Sequence, residues 1–250
     1  MKVCTLASGS SGNSVYLETA YSKILIDAGI SLRQIKLRLE NIGVNIKELD
    51  AVIISHEHTD HSLAVSKINV PVYVSTSTTF MWKDKVQHLR EFDSETVFEL
   101  NDLEITPFSV PHDAIDPVGF TFNDGTKKLG IATDIGSVTS LVVEKLKDSN
   151  ILILESNHDT EILLYSNYPW QLKQRIKGRL GHLSNKQSAW LLKKIFHNNL
   201  EHIVLAHLSK VNNCPEIAYK TSYNVLESYD AQHVTLSVAP RNSVSEVISV

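Results

Sequence analysis

At 250 residues and 42% hydrophobic content, the chain is long enough for one large enzyme domain, residues 1–250, with a sizeable core. A formal charge of −4 and a pI near 6.3 exclude a generally basic nucleic-acid coat, so any polyanion has to be met by a local patch. The two cysteines, Cys4 and Cys214, stand too far apart for a Cys-x-x-Cys site and fit a reducing cytosol; no stretch approaches the roughly 18 apolar residues of a membrane span or resembles a signal peptide, so a cytoplasmic location is expected.

The chain opens with a short strand, Lys2 to Leu6, then the turn Ser8-Gly9-Ser10-Ser11-Gly12-Asn13-Ser14, then a second strand from Val15 to Leu17. Glycine and serine lower the cost of positive φ and can gather several N–H groups into one concavity, although a plain hairpin turn has the same composition. A third strand, Lys23 to Ile26, ends in Asp27, and Leu32, Ile35, Leu39 and Ile42 follow at helical spacing. A carboxylate at the end of a buried strand needs a partner: Asp27 either caps that helix or supports ligands of the next loop from behind.

That next loop is the centre of the sequence. An apolar run through Ile53-Ile54 stops in Ser55-His56-Glu57-His58-Thr59-Asp60-His61, a His-x-His-x-Asp-His cluster. These groups cannot share one helix face, but a loop leaving a strand can fan them around a pair of metals. Imidazole and carboxylate suit zinc, manganese or iron, and the lack of thiolate argues for an open catalytic site rather than a closed structural zinc.

Beyond it, residues 70–74 read as a strand and Phe80 to Leu89 as a short helix. Thr96 to Leu100, Leu103 to Val110, Val118 to Asn123 and Lys128 to Thr133 are strands separated by turn signals such as Asn101-Asp102, the pattern of a meander. Two of these lead into His112 and Asp134, a helix covers Ser140 to Leu146, and the apolar strand Ile151 to Leu154 runs into Glu155-Ser156-Asn157-His158. After a long helical region, Ile203 to Ala206 ends in His207, and Val234 to Val238 and Val244 to Val250 suit closing strands. Strands that repeatedly end in His or Asp predict an α/β fold with two mixed sheets face to face, helices outside and every ligand at one edge.

The set His56-x-His58-x-Asp60-His61, His112, Asp134 and His207 resembles the ligand set of the metallo-β-lactamase superfamily, whose fold is a four-layer αββα sandwich. More narrowly, the Ser8–Ser14 turn, Pro111-His112-Asp113, Glu155-Ser156-Asn157-His158-Asp159, Tyr168-Pro169-Trp170, Gly181-His182-Leu183-Ser184-Asn185 and Leu205-Ala206-His207-Leu208-Ser209 resemble the nuclease-like YycJ/WalJ/VicX branch. The resemblance implies two divalent ions, zinc or manganese: His56, His58 and His112 on one, Asp60, His61 and His207 on the other, Asp134 bridging. A shared hydroxide would then attack the substrate, with Asp60 as acceptor of the water's proton. In flavodiiron relatives the second position is Glu, so His58 speaks for hydrolysis over redox chemistry.

Substrate class turns on the stretch from Tyr165 to Ile195, which holds Lys173, Arg175, Lys177, Arg179, Lys186, Lys193 and Lys194 and no acidic residue. A solvated helix face has the same composition, but interleaved Tyr168 and Trp170 suit a phosphodiester backbone. Ser184-Asn185-Lys186-Gln187 reads as a capping box opening a helix, and a helix N-terminus preceded by His182 is an anion site, so His182, Ser184 and the loop at Asn13 are expected to hold a phosphate. His158, at another strand end, is a candidate proton donor, substrate contact or extra ligand, or else a structural histidine. The expected function is a di-metal phosphodiesterase on nucleic acid, a DNA exonuclease by resemblance, with a glyoxalase II- or lactonase-like hydrolase as the alternative. A long substrate would be held by the sandwich surface or by a second subunit.

Overall fold

The computed structural model describes residues 1–250. The first sheet is built from β1 (Lys2–Ala7), β2 (Ser14–Glu18), β3 (Lys23–Ile26), β4 (Ala51–Ile53), β5 (Val72–Ser75), β6 (Leu89–Phe92) and, at its far edge, β14 (Ile248–Ser249), in the order β14-β1-β2-β3-β4-β5-β6. The second comprises β7 (Phe98–Leu100), β8 (Leu103–Ser109), β9 (Val118–Asn123), β10 (Lys128–Ala132), β11 (Ile151–Glu155), β12 (His202–Ala206) and β13 (Thr235–Val238), in the reverse chain order. Both are mixed: hairpins pair antiparallel along β1-β2-β3 and β7-β8-β9-β10, and crossovers pair parallel along β3-β4-β5-β6 and β10-β11-β12-β13.

Alternation along each strand explains the layering. Leu17, Ile24, Ile26 and Ile53 from the first sheet interdigitate with Phe120, Phe122, Ile131 and Ile153 from the second. Tyr16, Leu25 and Val52 point the other way, under α1 (Leu32–Glu40). Leu152, Leu154 and Leu205 do the same beneath α3 (Ser140–Leu146), α6 (Asn185–Ile195) and α7 (Pro215–Ser228). Strands covered on both faces must be apolar at successive positions, which is why Ile151 to Leu154 and Ile203 to Ala206 are unbroken runs. The result is the expected four-layer sandwich.

Three local expectations give way. The span Phe80 to Leu89 is not a helix: a 3-10 turn occupies Thr76–Met81, and Leu89 opens β6. The hydroxyls of Thr76 and Thr78 bond the carbonyls of Phe92 and Ser75, an alternative to helical pairing that the Thr/Ser run favours. The helical region after His158 divides into α4 (Thr160–Tyr165), α5 (Trp170–Lys177) and α6, broken at Pro169 and at Gly178 to Gly181. The tail narrows to two paired residues in β14.

The site's position comes from register. Ala132, Leu154 and Leu205 lie abreast on β10, β11 and β12, so the three segments leaving these strands emerge at one edge. Ile26 and Ile53 are likewise abreast on β3 and β4. The amide of Val118 donates to the carbonyl of Ser55 at 3.1 Å, tying the two sheets together there.

Candidate metal centre

The metal loop begins after β4 and turns at once into the single-turn helix α2 (Thr59–Ser62). Its backbone is clamped from three sides: Asn13 N donates to Asp60 O at 2.7 Å, Ala28 N to His61 O at 2.7 Å, and Ala64 N to Ala28 O at 2.9 Å. Gly29 is required here, because a Cβ would overlap the Asp60 carbonyl oxygen. The Gly/Ser turn is thus a brace for the metal loop. Asn13 is buried, its Oδ1 accepting from Gly9 N and its Nδ2 facing Asp60 O and, at 2.9 Å, His61 Nε2. The phosphate contact expected of Asn13 is therefore not what the structure gives; Ser10 is the residue of that turn that reaches the cleft.

The expected ligands converge. Ring and carboxylate atoms lie within 4.8 Å of one another in the groups His56/His58/His112, Asp60/His61/His207 and His56/His61/Asp134. The nitrogens facing inward are fixed by what the opposite nitrogens do. His112 Nδ1 lies 3.2 Å from Gly181 O, which leaves Nε2 pointing at His58 Nδ1, 3.3 Å away. His56 Nδ1 meets Ser55 Oγ at 3.0 Å, and its Nε2 is buried without a partner, as is His207 Nε2. A buried polar atom without a partner is costly, and a cation beside each of these nitrogens would satisfy it.

His61 and His207 sharpen the case. His61 has Asp27 Oδ2 at 2.7 Å from Nδ1 and Asp134 Oδ2 at 3.0 Å from Nε2. His207 has Glu155 Oε1 at 2.8 Å from Nδ1 and Asp60 Oδ2 at 3.8 Å from Nε2. A neutral ring carries one proton and cannot serve carboxylates on both sides; either a second proton or a metal must stand at Nε2. Burial alone would lower the His207 imidazole, but Asp134, Asp60 and Glu155 outweigh it and hold it up at about 10. His61 is raised in the same way by Asp134 and Asp27 against its burial. His56, with burial and neighbouring imidazoles both acting downward, is held neutral, the form a ligand needs. The donor set fits divalent metal, and Asp27 lies against the far nitrogen of His61.

Glu155 is the residue that sequence reasoning passed over. It is fully buried, with Oε1 2.9 Å from His182 Nδ1 and 2.8 Å from His207 Nδ1, while Oε2 accepts from the amides of Ile135 and Leu183. One carboxylate thus orients His207, His182 and the segment after Asp134. A glutamate ending an all-apolar strand was the available signal. Asn157 is a second: its Nδ2 donates to His207 O at 2.9 Å.

The cleft above these groups has a volume of about 310 Å³, and His182 stands on its wall. Ser184 does not. Its hydroxyl lies 2.8 Å from Gln187 Oε1 and accepts from Gln187 N, so the capping box forms as expected but consumes the group that was to hold a phosphate. His158 is also withdrawn: it is buried, its backbone pairs with that of Ser184, it is absent from the cleft lining, and burial lowers it to about 4. A proton-donor role for His158 does not survive this placement. Arg175 reaches the cleft from α5, with its Nε 2.6 Å from Asp113 Oδ2.

Two face-to-face mixed sheets with histidines and aspartates at their shared edge define the metallo-β-lactamase fold. Residues 22–207 match the family model described as the β-lactamase superfamily domain. The solved structure of the metallo-β-lactamase fold protein YhfI from Bacillus subtilis superposes with a TM-score of 0.74 at 15% identity, covering 98% of each chain. Human tRNase Z, short form, does so with a TM-score of 0.69 at 16% identity, over 100% of this chain and 99% of that one. Among curated proteins, exodeoxyribonuclease WalJ of Streptococcus pneumoniae is 38% identical over 243 residues, 92% of this chain and 89% of that protein. Exodeoxyribonuclease YycJ of Bacillus anthracis is 33% identical over 232 residues, 89% of this chain and 88% of that protein. The chain belongs to the metallo-β-lactamase superfamily and, within it, to the family of the WalJ and YycJ proteins.

Proposed function

We propose that this protein is a metal-dependent hydrolase of nucleic-acid phosphodiesters, an exodeoxyribonuclease. The observation that carries it is one cleft in which the converging His/Asp donors are faced by the cationic side chain Arg175 and by His182, in a chain 38% identical to an exodeoxyribonuclease. His56, His58 and His112 would hold one cation and Asp60, His61 and His207 a second, with Asp134 between them; zinc and manganese both accept these donors. When bound, such a pair supplies Lewis-acid charge and acidified water.

The chain's own residues do the rest. Asp60, 26% exposed and lining the cleft, is placed to accept the proton of an attacking water. His182, with Nδ1 engaged by Glu155, keeps Nε2 as a donor to a phosphate oxygen. Arg175 keeps its two terminal nitrogens for a second phosphate oxygen while Asp113 holds its Nε. The inter-sheet core drawn from both halves supports reading residues 1–250 as one domain. No helix is long and apolar enough to cross a membrane, and the two free cysteines fit a cytoplasmic setting.

The test is degradation of end-labelled DNA and RNA, duplex and single-stranded, by metal-reconstituted protein. Asp134→Asn should lose metal and activity together. His182→Ala should keep its metal and lose roughly 100-fold or more in rate, the range for a positioned donor. Wild-type protein that leaves every nucleic acid intact yet hydrolyses a thioester or lactone would overturn the reading.

A further inference from the structure

Helix α5 is tethered through its polar side chains yet has no fully buried residue, Leu172 and Ile176 being half-buried. Lys173 Nζ caps the preceding helix through the carbonyls of Leu164 at 2.7 Å and Ser166 at 2.6 Å, and Arg175 is fixed to Asp113, but no residue from Trp170 to Lys177 is buried. The helix has two unlike faces. Leu172, Arg175 and Ile176, at i, i+3 and i+4, line the cleft. Trp170 and Lys177, seven apart and so on one face, lie together, with the ammonium 5.1 Å from the indole centroid and the tryptophan 59% exposed. Tyr165, just before, is 81% exposed.

Packing does not explain an exposed indole here, and no acidic residue occurs between positions 162 and 195 to make this an ordinary mixed-charge surface. Aromatic rings beside a cationic track are how proteins hold single strands: every base has a face that stacks, and every linkage has a charge to be met. We propose that the outer face of α5, Trp170 with Lys177, is a stacking subsite for an unpaired base of the polynucleotide strand whose end lies in the adjoining cleft. This rests on the nuclease reading and adds to it that a base of the bound strand end is unpaired where it meets Trp170, because a base inside a duplex has no face to offer.

The molecule contains its own control. On α6, Trp190 is 49% exposed with Lys194 Nζ 5.3 Å from its ring, but α6 contributes no residue to the cleft. Binding of a phosphorothioate oligothymidylate and of an abasic strand of equal length and charge would be measured by fluorescence anisotropy on the metal-loaded protein at fixed salt. Trp170→Ala should weaken oligothymidylate binding roughly 5- to 150-fold, the range for one stacked base. Trp170→Phe should restore part of the loss, Trp190→Ala should match wild type, and the abasic strand should bind wild type and Trp170→Ala alike. Circular dichroism and thermal midpoint check that the variants fold. Unchanged oligothymidylate binding by folded Trp170→Ala, or an equal loss on the abasic strand, overturns the subsite while leaving nucleic-acid cleavage standing. Wild-type protein that binds neither strand and cleaves no nucleic acid overturns the nuclease reading, and the subsite with it.

Discussion

Three residues at the centre share a backbone state that L side chains seldom adopt: Asp27, Asp134 and His207 have φ of 62°, 55° and 56°. Each comes just after a buried strand. A left-handed residue there turns the chain sharply off the sheet and aims its side chain across the edge, at a cost on the order of 1 kcal/mol or more. That three such residues converge on one cluster means the surrounding hydrogen bonds hold them there. Asp27 shows how: its carboxylate accepts from Ser55 N at 2.8 Å and Ser55 Oγ at 3.0 Å and meets His61 Nδ1 at 2.7 Å. Asp27→Ala frees the His61 ring to rotate and to change tautomer. Metal affinity should fall roughly 10- to 100-fold, measured by competition with a chromophoric chelator, whereas a carboxylate serving only to cap α1 would leave it untouched. The N-cap of α1 is in fact Ser31.

Among the elements, α6 separates a structural serine from a substrate contact. Ser184 and Gln187 satisfy each other's backbone amides, so Ser184→Ala should cost about 0.5–2 kcal/mol of stability, read from denaturant midpoints, with the turnover of the metal-loaded enzyme within about twofold of wild type. A large loss of turnover at full folding would return Ser184 to the phosphate site. The capping box itself was legible, because Ser-x-x-Gln before an apolar face has one local meaning. Its distance from the cleft was not, since that depends on how β11 and α5 pack around it. The turn between β7 and β8 makes a different kind of link. Asp102 accepts from Thr19 Oγ1 at 2.7 Å and Ser22 Oγ at 2.6 Å, joining the second sheet to the β2–β3 hairpin of the first. Burial would nudge this carboxyl up, but the Ser22 and Thr19 hydroxyls outweigh it and hold it below the usual range. A depressed folded pKa contributes stability that is present above the unfolded value, about 3.9, and is lost as pH falls through the lower folded value. Asp102→Asn should therefore be less stable than wild type at pH 7, with the difference narrowing in thermal melts below about pH 4; a gap independent of pH would remove the charge from the explanation.

At the scale of the whole molecule, the fold was legible because strand ends carry chemistry. Asp27 and the His56–His61 loop leave the first sheet; His112, Asp134 and His207 leave the second. Buried strands stopping in ligand-type residues reported both the sandwich and its active edge. The groups that stayed hidden are those whose meaning is purely spatial: Glu155, which looks like a strand's end until His182 and His207 are seen on one of its oxygens, and Arg175, one cation among many along α5. The same division of ligands has a mechanical consequence. Cations held between the loops of two sheets, as proposed, would cross-link them, and His61 and His207 would then no longer need the extra protons that their carboxylate neighbours otherwise demand. A ligand that binds only the folded state at 100 times its Kd adds about 2.7 kcal/mol. In a chain of this length, that is a shift in thermal midpoint on the order of 5–10 °C. Exhaustive chelation should lower the midpoint by about that much and re-addition of zinc or manganese should restore it, while Asp134→Asn, lacking the group between the two ligand sets, should start low and respond weakly to metal. A midpoint unmoved after metal removal has been verified by elemental analysis would mean that the two sheets are already locked by their apolar core, and that the metals serve the chemistry without serving the fold.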